Sequence, residues 1–180
     1  PSYRPDKGIA IDADAFLPWV EKLETVVGRK LPGYEDFLGA LDERLDFFVS
    51  VGARVSDHGL GNVPFVPADG EELDRIYRAR HDGKVLSVRE ADAFRTGVLL
   101  HLGKAYAKRG LVQQYHISPT RNNNTVAFRT LGPDTGFDAI SDELFLTDLA
   151  KLLDALEKED ALPKTVLFSL NPGYDEMLAA

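Results

Sequence analysis

SVREADAFRTGVLLHLGKAYAKRGLVQQYHI, residues 87–117, contains one complete helix-to-strand unit and decides how the rest of the chain is read. Its first four residues, Ser87-Val88-Arg89-Glu90, have the Ser-x-x-Glu form of a capping box. In that motif the serine hydroxyl and the glutamate carboxylate satisfy backbone amides that a helix start leaves unpaired. Ala91, Phe94, Val98, Leu102 and Ala105 follow at the spacing of one helical face. Lys108, Arg109 and Gly110 supply a cationic last turn and a glycine stop. Leu111 to Ile117 then reads as a strand.

The same alternation continues on both sides. Upstream, Phe16, Val20, Leu23 and Val27 predict a helix over 14–27, with Pro18 tolerated in its first turn and Gly28 ending it. Leu38, Leu41, Leu45 and Phe48 predict a second helix over 34–51, ended by Gly52. Residues 53–57 form a short strand candidate, and 59–70 are rich in turn residues. Leu73, Ile76 and Tyr77 mark a short helix over 71–80. Downstream, residues 118–139 read as a long polar loop. Ser141 or Asp142 is expected to cap a helix carrying Leu149, Leu152, Leu153 and Leu156. Lys164 to Leu170 reads as a strand, and Asn171-Pro172-Gly173 turns into a helix start.

Strands separated by helices indicate parallel βαβ units and an α/β fold within a single domain. Three whole strands are expected, with the tail of another before Arg4. A closed (β/α)8 barrel takes eight strands and about 250 residues. The chain of 180 residues therefore reads as part of a barrel or as a small open sheet. It starts where a strand ends and stops where a helix begins, and the lack of an initiating Met is a further hint of a fragment.

Composition narrows the function classes. With 44% apolar and 28% charged residues the chain has globular composition, and no apolar run approaches the roughly 18 residues that suggest a membrane span. Lys and Arg number 21 against 29 Asp and Glu, a net charge of −8, which argues against nucleic acid as a partner. A small anion needs just one or two placed arginines. The absence of Cys removes disulfides and thiol chemistry and is compatible with the cytoplasm, the expected location.

In parallel α/β folds, side chains that do chemistry project from the carboxyl ends of strands. Arg4 and Asp6, Asp57 and His58, His116 with Arg121 behind it, and Asn171 all fall at such points. Each also has a plainer reading. Asp57 fits a turn or cap, His116 a buried core histidine, Arg4 and Arg121 surface ion pairs, and Asn122-Asn123-Asn124 turn residues in left-handed positions. The Gly-Pro-Asp-Thr-Gly run at 132–136 lacks the ending of a P-loop and reads as turn chemistry. His58 and His116 offer two metal ligands from neighbouring strands, but a third is not evident, so no complete metal centre is expected in this chain.

Five blocks, taken in order, resemble the uronate (glucuronate) isomerase family: Ser2-Tyr3-Arg4-Pro5-Asp6, Ser56-Asp57-His58-Gly59, His116 through Arg121-Asn122-Asn123-Asn124, residues 131–138, and Leu162-Pro163-Lys164-Thr165 through Leu170-Asn171-Pro172. The resemblance runs the length of the chain. It implies part of a (β/α)8 TIM barrel of the amidohydrolase type, incomplete here. It implies interconversion of D-glucuronate with D-fructuronate, and of D-galacturonate with D-tagaturonate, through an enediol, with this chain inactive alone. The family's metal ligands, a His-x-His and a strand-terminal Asp, have no counterpart here, so a divalent metal, zinc for preference, is expected in the intact enzyme and none within this chain. One departure is Ser118-Pro119-Thr120, where the family more often has a Gly-containing, less polar link. The change is expected to alter the path of the loop carrying Arg121.

Isomerisation needs a base, a proton donor, stabilisation of enediolate oxygens and an anchor for the substrate carboxylate. On this reading Asp57 and His116 are the catalytic candidates, while Arg4, Arg121 and His58 are the substrate-binding ones. Arg4 or Arg121 suits the carboxylate through its planar fork, His116 polarises or protonates a substrate oxygen, and Asp57 orients a hydroxyl or His58. Two other readings compete: a barrel hydrolase of the same superfamily, and a non-catalytic binding or assembly module. Expected partners are a uronate sugar and either a second copy or the rest of the barrel, because a partial barrel leaves strand edges unpaired.

Overall fold

The computed structural model describes residues 1–133, 135–143 and 146–179. Its organising feature is a parallel sheet whose strands lie in chain order. Strand β1 (Ser2–Tyr3) pairs with β2 (Val55–Ser56), and β3 (His58–Leu60) pairs with β4 (Gln113–Ile117). A bridge from Val55 to Val112 makes β2 and β3 consecutive parts of one line between β1 and β4. Strand β4 then pairs with β7 (Thr165–Ser169) along five residues, from Gln113 opposite Thr165 to Ile117 opposite Ser169. Between them, β5 (Pro119–Thr120) and β6 (Ala139–Ile140) form a small antiparallel ribbon.

Helices make the crossovers: α1 (Asp6–Ile9), α2 (Phe16–Val27) and α3 (Tyr34–Ser50) join β1 to β2. Two more, α4 (Gly70–His81) and α5 (Val88–Lys108), join β3 to β4. Then come α6 (Thr125–Leu131) and α7 (Leu146–Glu157), and after β7 a 3-10 turn (Pro172–Tyr174) and α8 (Asp175–Ala179). The capping box expected at the start of α5 forms: Ser87 Oγ accepts from the Glu90 amide, and the Glu90 carboxylate accepts from the Ser87 amide at 3.0 Å. Those bonds from Ser87, with the Arg75 guanidinium nearby, hold the Glu90 carboxyl down to about 2. Gly28 ends α2 at φ 72°, a left-handed position that an L side chain resists.

Three expectations need correction. The turn-rich reading of 59–70 misses β3, whose central Gly59 disguises it; the ladder to β4 outweighs glycine's poor strand propensity. The long loop over 118–139 contains α6, started by Asn124, whose side chain accepts from the Ala127 amide at 2.9 Å. Neither Ser141 nor Asp142 directly precedes α7, which begins at Leu146. Ser141 Oγ instead accepts from the Glu143 amide, and 144–145 lie outside the described residues.

Most of the core lies among the helices. Phe94 of α5 sits at the middle of an aromatic cluster, 5.6 to 6.3 Å from the rings of Tyr34, Phe16, Phe37 and Tyr77. Alternation along the strands then assigns the two sheet faces. Gln113, Tyr115 and Ile117 of β4 are buried on the helix-covered side, where Leu167 of β7 also packs. Gln114, His116, Val166 and Phe168 project from the other face, where Phe168 is 43% exposed. The sheet is thus helix-covered on one face, whereas parallel sheets are ordinarily covered on both.

Candidate functional site

The open face carries the ionisable cluster, and strand parity explains its membership. Gly59 lies opposite His116 in the β3–β4 register, so both point to the open side, while His58 lies opposite Tyr115 and points into the helices. Asp57, between β2 and β3, shares the open side with Gly59. Arg4, just after β1, reaches across to it: Arg4 Nε donates to Asp6 Oδ2 at 2.9 Å and Nη1 donates to Asp57 Oδ2 at 3.0 Å. A Cβ on Gly59 would collide with Arg4 Nη2, so glycine gives the guanidinium room to lie against the strand.

His116 closes the other end. Its Nε2 lies 2.9 Å from Asp57 Oδ1, and its ring stacks on Phe168 with centroids 4.7 Å apart and planes 10° from parallel. The Nε2 contact falls short of an aligned hydrogen bond, which leaves the buried Asp57 Oδ1 with acceptor capacity to spare. The His116 side chain is 45% exposed, so its reading as a buried core histidine does not hold.

Beneath the cluster sits Asp6, the first residue of α1. It accepts from Arg4, from the Gly59 amide at 2.9 Å, and contacts His58 Nδ1 at 3.0 Å. Burial pushes its carboxyl up, but His58, the Gly59 amide and Arg4 together outweigh that and hold it below the ordinary carboxylate value. The Arg4 guanidinium is raised in turn, chiefly by its hydrogen bond to Asp6. His58 Nε2 meets Tyr106 Oη of α5 at 3.0 Å; both rings are fully buried, and burial raises the Tyr106 hydroxyl well above its ordinary value.

Of the five residues expected at the site, Arg4, Asp57 and His116 come together on the open face. His58 belongs to the same chain of contacts from the covered side. Its ring is fully buried and its two nitrogens meet Asp6 and Tyr106. Arg121 stands apart: it pairs with Asp138 at 2.7 Å, and Asp138 also accepts from the Asn122 amide, so the pair clips the two ends of the β5–β6 excursion. Asn171 Nδ2 donates to the Ser141 carbonyl, a structural tie.

The sequence places Asp6 at a strand end but assigns it no role, and it gives no signal for Tyr106; a single tyrosine in a helix carries no local sign of a histidine partner 48 residues away. A cavity of about 170 Å3 adjoins Asp6 and Gly59, lined also by Asn62 and Arg95. Among the described residues no group of three or more His, Cys, Asp or Glu is placed to hold a metal ion. No helix among the described residues is long and apolar enough to cross a membrane.

Fold and site together define a class: a parallel α/β protein that gathers arginine, aspartate and histidine at the carboxyl ends of successive strands. Within that class the chain belongs to the glucuronate isomerase family, whose family model matches residues 1–180. It is 47% identical over 179 residues to the uronate isomerase of Caldicellulosiruptor saccharolyticus, covering 99% of this chain and 39% of that protein. The uronate isomerase of Caldanaerobacter subterraneus is 45% identical, with 99% and 38% covered. In structure the chain resembles the crystal structure of uronate isomerase from Thermotoga maritima, with a TM-score of 0.91 at 27% identity over 99% of this chain and 39% of that one. The glucuronate isomerase from Caulobacter crescentus gives 0.85 at 25% identity, over 96% and 36%. The chain therefore spans about two-fifths of the length of the curated relatives it matches.

Proposed function

We propose that this chain supplies part of the active site of a uronate isomerase built on an amidohydrolase-type (β/α)8 barrel. The observation that carries the reading is the Arg4–Asp57–His116 cluster on the uncovered face of a parallel sheet whose strands follow chain order. A doubly wound sheet reverses its strand order at a switch point, whereas a barrel adds each strand beside the last, with its reactive groups at the carboxyl ends. The bare face then corresponds to the barrel interior.

Interconversion of D-glucuronate and D-fructuronate, or of D-galacturonate and D-tagaturonate, moves a proton between C2 and C1 through an enediol. In the proposed arrangement His116, exposed on the open face, carries that proton or delivers one to a substrate oxygen. Asp57 orients its ring and offsets the charge when it is protonated. Arg4 offers positive charge to a substrate carboxylate, through Nη2, since Nε and Nη1 already hold Asp6 and Asp57. His58 supports this array from behind. Arg121, paired with Asp138, has no part in it.

The test is a chimera in which this chain replaces the matching stretch of the uronate isomerase of Caldicellulosiruptor saccharolyticus, assayed for conversion of glucuronate to fructuronate. Turnover is expected in the chimera and not in the chain by itself. His116→Ala in the chimera should lower kcat/KM by about 10²-fold or more, the usual contribution of a positioned proton-transfer group. Unaltered kcat/KM in both His116→Ala and Arg4→Ala would remove the reading.

A further inference from the structure

We infer that Asp6, braced by His58 and Tyr106, is the positioning residue that fixes the plane of the Arg4 guanidinium and leaves Nη2 as its ligand-facing nitrogen. The inference rests on the proposed reading in that it takes Arg4 to face the ligand. An exposed arginine ordinarily samples many rotamers, and Arg4, 47% exposed, is held by two carboxylates instead. Asp6 of α1 takes Nε, and Asp57 in the link between β2 and β3 takes Nη1. Two directional bonds to a planar group determine its plane.

Asp6 can serve because it is fixed in its turn. One oxygen accepts from the Gly59 amide and the other meets His58 Nδ1, and the far side of that ring meets Tyr106 Oη. His58 and Tyr106 are both fully buried, so the brace runs from the packed face of α5 through the sheet to the open face. Gly59 contributes twice, through its amide to Asp6 and through the missing Cβ that lets Nη2 lie along the strand. With Nε engaged by Asp6 and one Nη1 hydrogen by Asp57, Nη2 is the guanidinium nitrogen that holds neither carboxylate and is left to meet a ligand oxygen.

The experiment is proton exchange at the Arg4 Nε–H, read by NMR on the nitrogen-15-labelled chain carrying Val166→Lys to keep the exposed edge strand β7 from self-association, with the resonance assigned by its loss in Arg4→Lys. Slow exchange is expected in the parent chain. Asp6→Asn and His58→Ala should each speed it by about tenfold or more, the factor set by one charge-assisted hydrogen bond. His58→Asn, whose side-chain amide can still donate to Asp6, should restore most of the protection. Asp57→Asn, which leaves the Nε bond in place, should change it by less than about threefold. Unchanged exchange in folded Asp6→Asn and His58→Ala, or a larger effect from Asp57→Asn, overturns the proposal. Should those two variants not fold, Tyr106→Phe preserves the packing, and unchanged exchange there overturns it equally. No turnover is measured, so failure of the isomerase assay and failure of this inference are separate results.

Discussion

Asp57 and His58 are adjacent in the chain and face opposite sides of the sheet, which is the central fact at the scale of single residues. The two-residue period of a strand sends Asp57 to the open cluster and His58 into the core. Asp6 joins both sides, and its depressed carboxyl has a pH consequence. A group whose folded-state pKa lies below its unfolded one stabilises the fold at higher pH and loses that contribution as pH falls. Stability from Asp6 should therefore be complete well above the ordinary value of 3.8 and decline as pH drops through it. Asp6→Asn should cost about 1.5–3 kcal/mol at neutral pH and flatten the acid limb of urea unfolding midpoints measured between neutral pH and pH about 3. A second residue-scale expectation concerns Ser118. It adopts φ 73° while fully buried, and its hydroxyl finds no hydrogen-bond partner. Ser118→Gly should raise stability by up to about 1 kcal/mol, since relief of left-handed strain exceeds glycine's extra unfolded-state entropy. A lower melting midpoint would contradict that account.

At the scale of elements, the long helices were legible because each carries its own evidence. The box at Ser87 and Glu90, the face of Phe94, Val98 and Leu102, and the glycine stop at Gly110 all lie within one helix and its flanks. Of the shortest elements, β1 and β2 fall where a strand tail before Arg4 and a strand over 53–57 are expected, whereas β3 and α1 were not legible. Strand β3 exists because β4 pairs with it, and α1 is a single turn docked beneath Arg4. Neither has the length to show a period. The aromatic cluster gives the helical layer its cohesion, and Phe94 belongs to most of its ring contacts. Phe94→Ala should cost about 3–5 kcal/mol in denaturant unfolding, because the packed rings around it cannot collapse into the space. A loss below about 1 kcal/mol would mean that α2 to α5 repack freely.

At the scale of the whole molecule, β7 is an edge strand with Val166 and Phe168 exposed, and Leu170 continues the apolar row just beyond it. An unpaired apolar strand edge recruits another strand. The isolated chain is therefore expected to self-associate or aggregate, as size-exclusion chromatography at several concentrations would read, and Val166→Lys should shift it toward monomer. A clean monomer at all concentrations would count against this. Sequence by itself determined the α/β alternation, the family through five ordered motifs, and the strand-end positions of Arg4, Asp57 and His116, because these are carried by local periodicity and by residues near one another in the chain. Tertiary structure decided that Arg121 clips a separate ribbon, that His58 faces inward, and that Asp6 and Tyr106 support the site. Those outcomes depend on strand register and on contacts between residues some 50 positions apart, such as Asp6 with His58 and His58 with Tyr106. No local pattern encodes such pairings; they arise when the crossovers bring β1, β3 and α5 together.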